Sequence, residues 1–327
     1  MNKIVLSFTG IVVLLLAVTV FSVTTGSIKV GGLELIQGLF TGTNKNVEVI
    51  KDLRLPRIIV ALFVGASLAV SGVLLQAVMR SSLADAGVIG ISSGAGFISV
   101  LFVTIFPTFF FWLPLFAFIG GALACFLVYS LSWKSGLSPI RIILVGIAIN
   151  ATFTGLGQSF NYRGSYAVTT VNQATTSIFT MKTWSDVQSI AIYGSIGLLL
   201  SLFLCSWCNL LSLQDKSAKN LGLNVSRARL LISAVAVLLA AVSTAIGGLI
   251  AFVGLLVPHI ARLLVGSDHR VLIPFSALAG ALLILTADTL GRTLLAPAEI
   301  PASIIMTVIG GPFLIFLLRK SDRVYGN

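Results

Sequence analysis

Chemistry needs side chains that ionise, coordinate or attack, and this chain offers few of them. Of 327 residues, 21 are Lys or Arg, 10 are Asp or Glu and 2 are His. The Cys205-Ser-Trp-Cys208 spacing superficially matches redox and metal motifs, but no further ligand stands nearby, so Cys125, Cys205 and Cys208 read as small hydrophobes inside apolar runs. His259, directly after Pro258, reads as a hydrogen-bonded structural residue at a helix end. No H-E-x-x-H, no G-x-S-x-G and no His/Cys/carboxylate cluster occurs, and no G-x-x-x-x-G-K-[ST] loop is present to cradle ATP phosphates. No enzyme activity, cofactor, catalytic residue or metal site is expected. What remains is arginine chemistry. Arg54 and Arg57 open one apolar run, and Arg292 closes another beside Asp288 and Glu299. Guanidinium forks make charge-assisted, two-point bonds to carboxylates. The set therefore suits docking of an acidic partner, anchoring at an interface, or pairing within the chain.

The elements that must position these residues are membrane helices. Apolar side chains make up 57% of the chain and charged ones 9%, where a soluble domain has about a quarter charged. So little charged surface excludes an ordinary cytosolic enzyme, a disordered tail and a nucleic-acid-binding domain. The net charge of +11 is spread in short basic clusters between apolar runs, the pattern of membrane-flanking charge and not of a stripe that follows phosphates. A helix needs about 20 residues to cross a hydrocarbon core of about 30 Å. That ruler places spans near 5–25, 58–79, 88–106, 112–132, 142–160, 189–208, 230–249, 251–266, 271–288 and 302–318 of a single membrane domain over 1–327. The first run is too long for a signal-peptide core and lacks an A-x-A site, so it is expected to remain as a span. The run from Leu230 to Pro258 divides at Gly247-Gly248.

Parity follows from the loops. With both termini inside, the inner loops hold most of the excess basic charge, including Lys3, Arg80, Lys134, Arg141, Lys216, Lys219, Arg227 and Arg229. The outer loops hold Lys29, Lys45, Lys51, Arg163 and Lys182 largely balanced by acids, as positive-inside topology requires. Between spans six and seven, the inner segment 209–229 carries Leu213, Ala218, Leu221 and Leu223 among charges, with Gly222 as a stop; it suits short amphipathic helices lying on a partner. Inside the spans ionisable groups are almost absent, which disfavours an ion-coupled secondary transporter, the alternative of a different class. Uphill transport would take its energy from another polypeptide. The glycines, among them the Gly90-x-x-x-Gly94 pair, suit close helix packing.

In order along the chain, Leu53-Arg-Leu-Pro-Arg57, Gly65-Ala-Ser-Leu-Ala-Val-Ser-Gly72 with Gln76-Ala77, Gly90-Ile-Ser-Ser-Gly-Ala-Gly96, Phe252-Val-Gly-Leu-Leu-Val-Pro-His-Ile-Ala-Arg262, Asp268-His-Arg270, Ala287-Asp288, Arg292 and Glu299-Ile-Pro301 resemble the FecCD family of ABC importer permeases. The resemblance covers about 26–318. It implies an all-α integral membrane protein of about ten transmembrane helices, with the importer permease fold of the vitamin B12 transporter type (the type II import fold), in the bacterial cytoplasmic membrane. It implies a permease subunit of an ATP-driven importer of iron chelates, with ferric siderophore as the main reading and haem or cobalamin as the alternative. The implied partners are a second permease, identical or homologous, two cytoplasmic ATPase subunits, and an extracytoplasmic substrate-binding protein. The ATPases would dock on the inner loop, where Ala218, Leu221 and Gly222 match the small and apolar core of the coupling loop. Arg54, Arg57 and Arg292 match the residues that receive acidic side chains of the binding protein. The family commonly has Asn-Pro-Leu-Ala-Asp/Glu-Pro after span two, where this chain has Ser81-Ser-Leu-Ala-Asp-Ala86. A cytoplasmic gate role therefore carries over to Ser81 without the amide and the two prolines that would stiffen the turn. Tyr162, Arg163 and Tyr166 are candidates for contact with an anionic chelate.

Overall fold

The computed structural model describes residues 2–25, 50–106, 112–132, 139–161, 179–296 and 298–325. The outer-segment residues Tyr162, Arg163 and Tyr166, and the loop residues Lys29, Lys45 and Lys134, lie outside the described residues. The described chain is helical throughout: α1 (Asn2–Thr24), a π-helical turn (Ile50–Arg54), α2 (Leu55–Met79), α3 (Ile91–Ile105), α4 (Leu113–Ser132), α5 (Pro139–Asn161), α6 (Trp184–Phe203), α7 (Cys205–Leu211), α8 (Asp215–Asn220), α9 (Val225–Gly247), α10 (Val253–Val265), α11 (His269–Thr293) and α12 (Ala302–Tyr325). Six of these helices are long and apolar enough to cross a membrane by themselves: α1, α2, α4, α6, α9 and α11.

Helix boundaries follow local chemistry. Pro56 sits in the first turn of α2, where its missing N–H costs nothing. Thr183 and Asp186 form a capping box on α6, the Asp186 carboxylate accepting the Thr183 backbone N–H at 2.8 Å. Asn224 caps α9 and Asp268 caps α11, each accepting a backbone N–H from the first turn. The run from Leu230 to Pro258 breaks at Gly248, whose φ of 77° is open to glycine at little cost. α10 then starts at Val253 and rises about 20 Å, less than a full crossing. α3 is short for a related reason. Residues 81–90 are folded into a turn and Gly90, at φ 86°, caps the helix, so the expected span from 88 begins at Ile91.

α2 is the hub, packed on α11, α9, α6 and α10. Lipid tails are as apolar as leucine, so helices associate here through close packing and small residues. A Cβ on Gly72 would overlap the Gly254 carbonyl, and one on Gly65 the Gly280 carbonyl; α2 therefore meets α10 and α11 backbone to backbone. Gly94 and Gly120 do the same between α3 and α4. The Ser71 hydroxyl donates to the Ala236 carbonyl at 2.7 Å and pins α2 to α9. Two apolar layers stack along α2. One gathers around Ile58, Val64 and Leu68 with Phe179, Ile190 and Ile284; the other gathers around Leu74, Val78 and Met79 with Cys208, Leu211, Ala218 and Ile232. α1 packs on α11 and α10 and turns Leu6, Val13, Leu16 and Val20 outward, as a lipid-facing helix does.

Candidate functional site

The functional groups collect at the two ends of the bundle, which α2 joins. At its Arg57 end, the Arg57 guanidinium is 8% exposed and grips Asp288 through Nε and Nη2 at 2.9 and 2.7 Å. Its Nη1 donates to Glu299 Oε2 at 3.0 Å, and the Thr180 hydroxyl donates to the same oxygen at 2.6 Å. Burial pushes the Glu299 carboxyl up, but the Thr180 hydroxyl and the Arg57 charge outweigh it and hold the group below its ordinary range. Arg292 donates to the carbonyl and hydroxyl oxygens of Ser22 at 2.7 and 2.8 Å, and Arg54 donates to the Val23 carbonyl at 2.8 Å. Ser22 and Val23 lie in the last turn of α1, where carbonyls lack helical partners and the macrodipole is negative. Two distant arginines thus serve as the C-terminal cap that α1 lacks in its own sequence.

The structure brings the three expected docking arginines together, but it turns them inward. Arg57 in particular is sealed between Asp288 and Glu299, an internal ion pair of the kind foreseen as the competing role for this set, with Arg57 in place of Arg292 as the partner of the acids. The physical reason is desolvation: a guanidinium this buried is tolerable only with carboxylates in contact.

At the Arg80 end, Arg80, which closes α2, joins the α7–α8 segment in a polar network. Arg80 donates through Nε to the Leu211 carbonyl at 2.8 Å, and through Nη2 to the Leu213 carbonyl and to Asp215 Oδ1, the latter at 2.6 Å. Arg229 reaches the same Asp215 oxygen at 3.1 Å. Asn209 bridges Asp268 and the His269 backbone N–H at 2.7 and 2.9 Å, and Arg262 donates to Gln76, which in turn donates to the Gly254 carbonyl at 3.0 Å. The Arg270 backbone N–H and the Asn209 amide hold the Asp268 carboxyl below its ordinary range.

Ser81 lies at the start of the turn. Its hydroxyl accepts the Leu83 N–H at 3.3 Å and its carbonyl accepts the Ala84 N–H at 3.2 Å, a local lock where the family's prolines are absent. Asp85 is 4% exposed, and its carboxylate lies against Gly254 at the start of α10. Burial pushes this carboxyl up to about 6, against the opposing pull of the Gly87, Ala86, Phe252 and Val88 backbone N–H groups. In the α7–α8 segment, Ala218 is fully buried, Gly222 turns the chain at φ 84°, and Leu221 and Leu213 are 63% and 42% exposed. Of the three residues expected to carry coupling, Ala218 packs inward and Leu221 is exposed.

Two features went unrecognised in the sequence. On α5, Asn150, Thr154 and Gln158 recur every four residues along one stripe, Gln158 exposed and Asn150 and Thr154 half-buried. Polar groups facing hydrocarbon are costly, so this face suits a watery cavity or another chain. The four-residue period inside an apolar run was the available signal. The Arg80–Asp215 pair had none, since 135 residues separate its partners. Among the described residues, no cluster of His, Cys, Asp or Glu is arranged to hold a metal ion, and all three cysteines are buried thiols.

Known proteins resemble this chain over nearly its whole length. The profile of the FecCD transport family matches residues 14–320. The probable heme-iron transport system permease protein IsdF of Staphylococcus aureus strain MSSA476 is 43% identical over 322 residues, 98% of each chain, and its counterpart in strain Newman is equally similar. A solved inward-facing structure assigned to a metal-chelate type ABC transporter superposes with a TM-score of 0.81 at 32% identity, covering 95% of this chain and 98% of the other. The PsaBC complex of Streptococcus pneumoniae shares the fold, with a TM-score of 0.61 at 16% identity over 87% and 94% of the two chains.

Proposed function

The chain belongs to the FecCD transport family, and from that premise we propose that it is the permease subunit of an ABC importer whose metal-chelate cargo is haem. It is a multi-pass bacterial membrane protein without a motor of its own, and ATP hydrolysis falls to separate subunits. Family membership sets aside the ion-coupled alternative. The observation that carries the choice of cargo is the 43% identity, over 98% of both chains, to permeases named for haem-iron transport; it favours haem over the ferric siderophore reading.

With both termini inside, the Arg57 end faces the binding protein and the Arg80 end faces the ATPases. On docking, Arg54 and Arg292 exchange the oxygens of Val23 and Ser22 for acidic side chains of the binding protein, while Arg57 holds the platform together. Leu213 and Leu221 contact an ATPase, with Gly222 setting the bend and Ala218 seating the segment. The α5 face with Asn150, Thr154 and Gln158 lines the pathway shared with the second permease. The Ser81 turn gates its inner end. Transport proceeds by alternating access: ATP binding favours one arrangement of the pathway ends, and hydrolysis restores the other.

The test is reconstitution of the permease with its ATPases and binding protein in liposomes. Haem uptake should require ATP and exceed uptake of a ferric siderophore or of cobalamin. Uptake driven by an ion gradient without the ATPase would refute the importer reading; ATP-driven uptake of siderophore in preference to haem would refute the cargo.

A further inference from the structure

Arg80 closes α2 in the left-handed region, at φ 49° and ψ 38°. Glycine is the usual residue for that geometry, and any other residue there is strained by about 1–2 kcal/mol. The side chain offsets that strain by reaching two carbonyls and one carboxylate of the α7–α8 segment. On its other side, the residue is covalently the first of the turn. That turn is held on two fronts: the Asp85 carboxylate lies against Gly254 of α10, and the Ile89–Gly90 backbone lies against Gly146 and Asn150 of α5, where a Cβ on Gly146 would fall 2.9 Å from Ile89 Cα. A continuous path of contacts therefore runs from the exposed Leu221 through α8, Asp215 and Arg80 into the turn and on to α5 and α10.

We propose that Arg80 is a positioning residue for transport, a rigid guanidinium link that carries displacement of the α7–α8 segment into the turn and from there to α5 and α10. The link suits that task better than an apolar contact. Its three bonds, to two backbone carbonyls and a carboxylate, fix direction as well as distance. Arg229 holds the same Asp215 oxygen, so the carboxylate is tied to α9 as well as to Arg80 and cannot simply follow Arg80 and absorb the movement. Asp215 is 43% exposed, so the link lies where the segment meets the partner surface.

This inference rests on the importer reading above, and one experiment separates the two. The complete transporter is reconstituted in liposomes, and haem uptake is measured together with ATP hydrolysis stimulated by loaded binding protein. In Arg80→Gln, stimulated hydrolysis should persist while uptake per ATP falls about tenfold. Arg80→Lys, which keeps the charge but loses the fork, should fall between this variant and the wild type, and Asp215→Asn should behave likewise. A merely structural role would lower hydrolysis and uptake together and leave their ratio intact; that outcome overturns the proposal. Should Arg80→Gln fail to assemble, the other two variants carry the same ratio test, and an unchanged ratio in both overturns it equally. A wild-type complex that takes up no haem with ATP defeats the importer reading instead.

Discussion

Both ends of the bundle are built from arginine and carboxylate, yet they solve different problems. At the Arg57 end the central pair is buried, Asp288 2% exposed and Arg57 8%, and its bonds join α2 to α11, with the loop residue Glu299 closing the outer side. At the Arg80 end, the Arg80 and Asp215 side chains are 35% and 43% exposed, and the bonds join that body to two short surface helices. A buried ion pair holds only one geometry, because separating it strands a charge in a low-dielectric site. A half-exposed pair adds little to stability, because water can take over each partner, so what Arg80 contributes there is direction, set by its three bonds. The first arrangement makes a rigid platform, and the second makes a joint.

The sharpest way to break that contrast is Asp288→Ala. It leaves Arg57 buried beside Glu299 alone, and the loss should be about 3–5 kcal/mol, seen as reduced yield and a much lower melting temperature of the purified protein. A loss no larger than that of a surface substitution would mean that the platform is not held by this pair. Next in size is acid response, where the two ends should carry opposite signs. Asp85 has its folded value raised from 3.8 to about 6, so its contribution is fully present below about pH 4 and is lost as pH rises through 6, a swing of order 3 kcal/mol. Glu299 is depressed in the folded state, so its contribution is present above its ordinary range and is lost as pH falls through its folded value. Melting temperatures of wild type minus Asp85→Asn, taken from pH 4 to 7, should turn against the wild type as pH rises. The same subtraction with Glu299→Gln, carried down below pH 4.5, should run the other way, the wild type losing its advantage as pH falls, with a smaller amplitude because Glu299 is 35% exposed and partly screened. Parallel curves for the two variants would contradict the burial difference.

The contrast also explains what the sequence could and could not reveal. Helices were legible because lipid demands long apolar runs, and the Gly247-Gly248 break was legible because only a residue tolerant of positive φ ends one helix and starts another so abruptly. The shortness of α3 and α10 was not. α3 starts late because the 81–90 turn precedes it, seated against Gly254 by a contact between residues far apart in the chain, and α10 starts late because the chain stays non-helical from Gly248 to Phe252. The arginines at the Arg57 end were legible as a set, since Arg54 and Arg57 share one helix start, and Arg292 lies near Asp288 and Glu299 in sequence. Their direction was hidden. Whether a guanidinium points to solvent or inward depends on how α1, α2 and α11 pack, and Ser22 gives no sign in sequence that it will receive Arg292. The joint at the Arg80 end was the least legible, because Arg80, Asp215 and Arg229 come from three separate elements and each alone reads as an ordinary loop charge.

The smallest stability effect should therefore belong to a residue with a large functional one. Asp215→Asn removes a carboxylate from Arg80 and Arg229, but both arginines lie where water reaches them and Arg80 keeps its two carbonyls. Discounted for exposure, the change in stability should be below about 1 kcal/mol and should shrink further in high salt. The melting temperature of the purified variant in low and high salt reads this directly, and uptake per ATP in liposomes reads the joint. A variant that melts like the wild type yet transports poorly per ATP separates holding from transmitting. If instead Asp215→Asn melts as far below the wild type as Asp288→Ala, the Arg80 end is a second platform, and the distinction between the two ends is wrong.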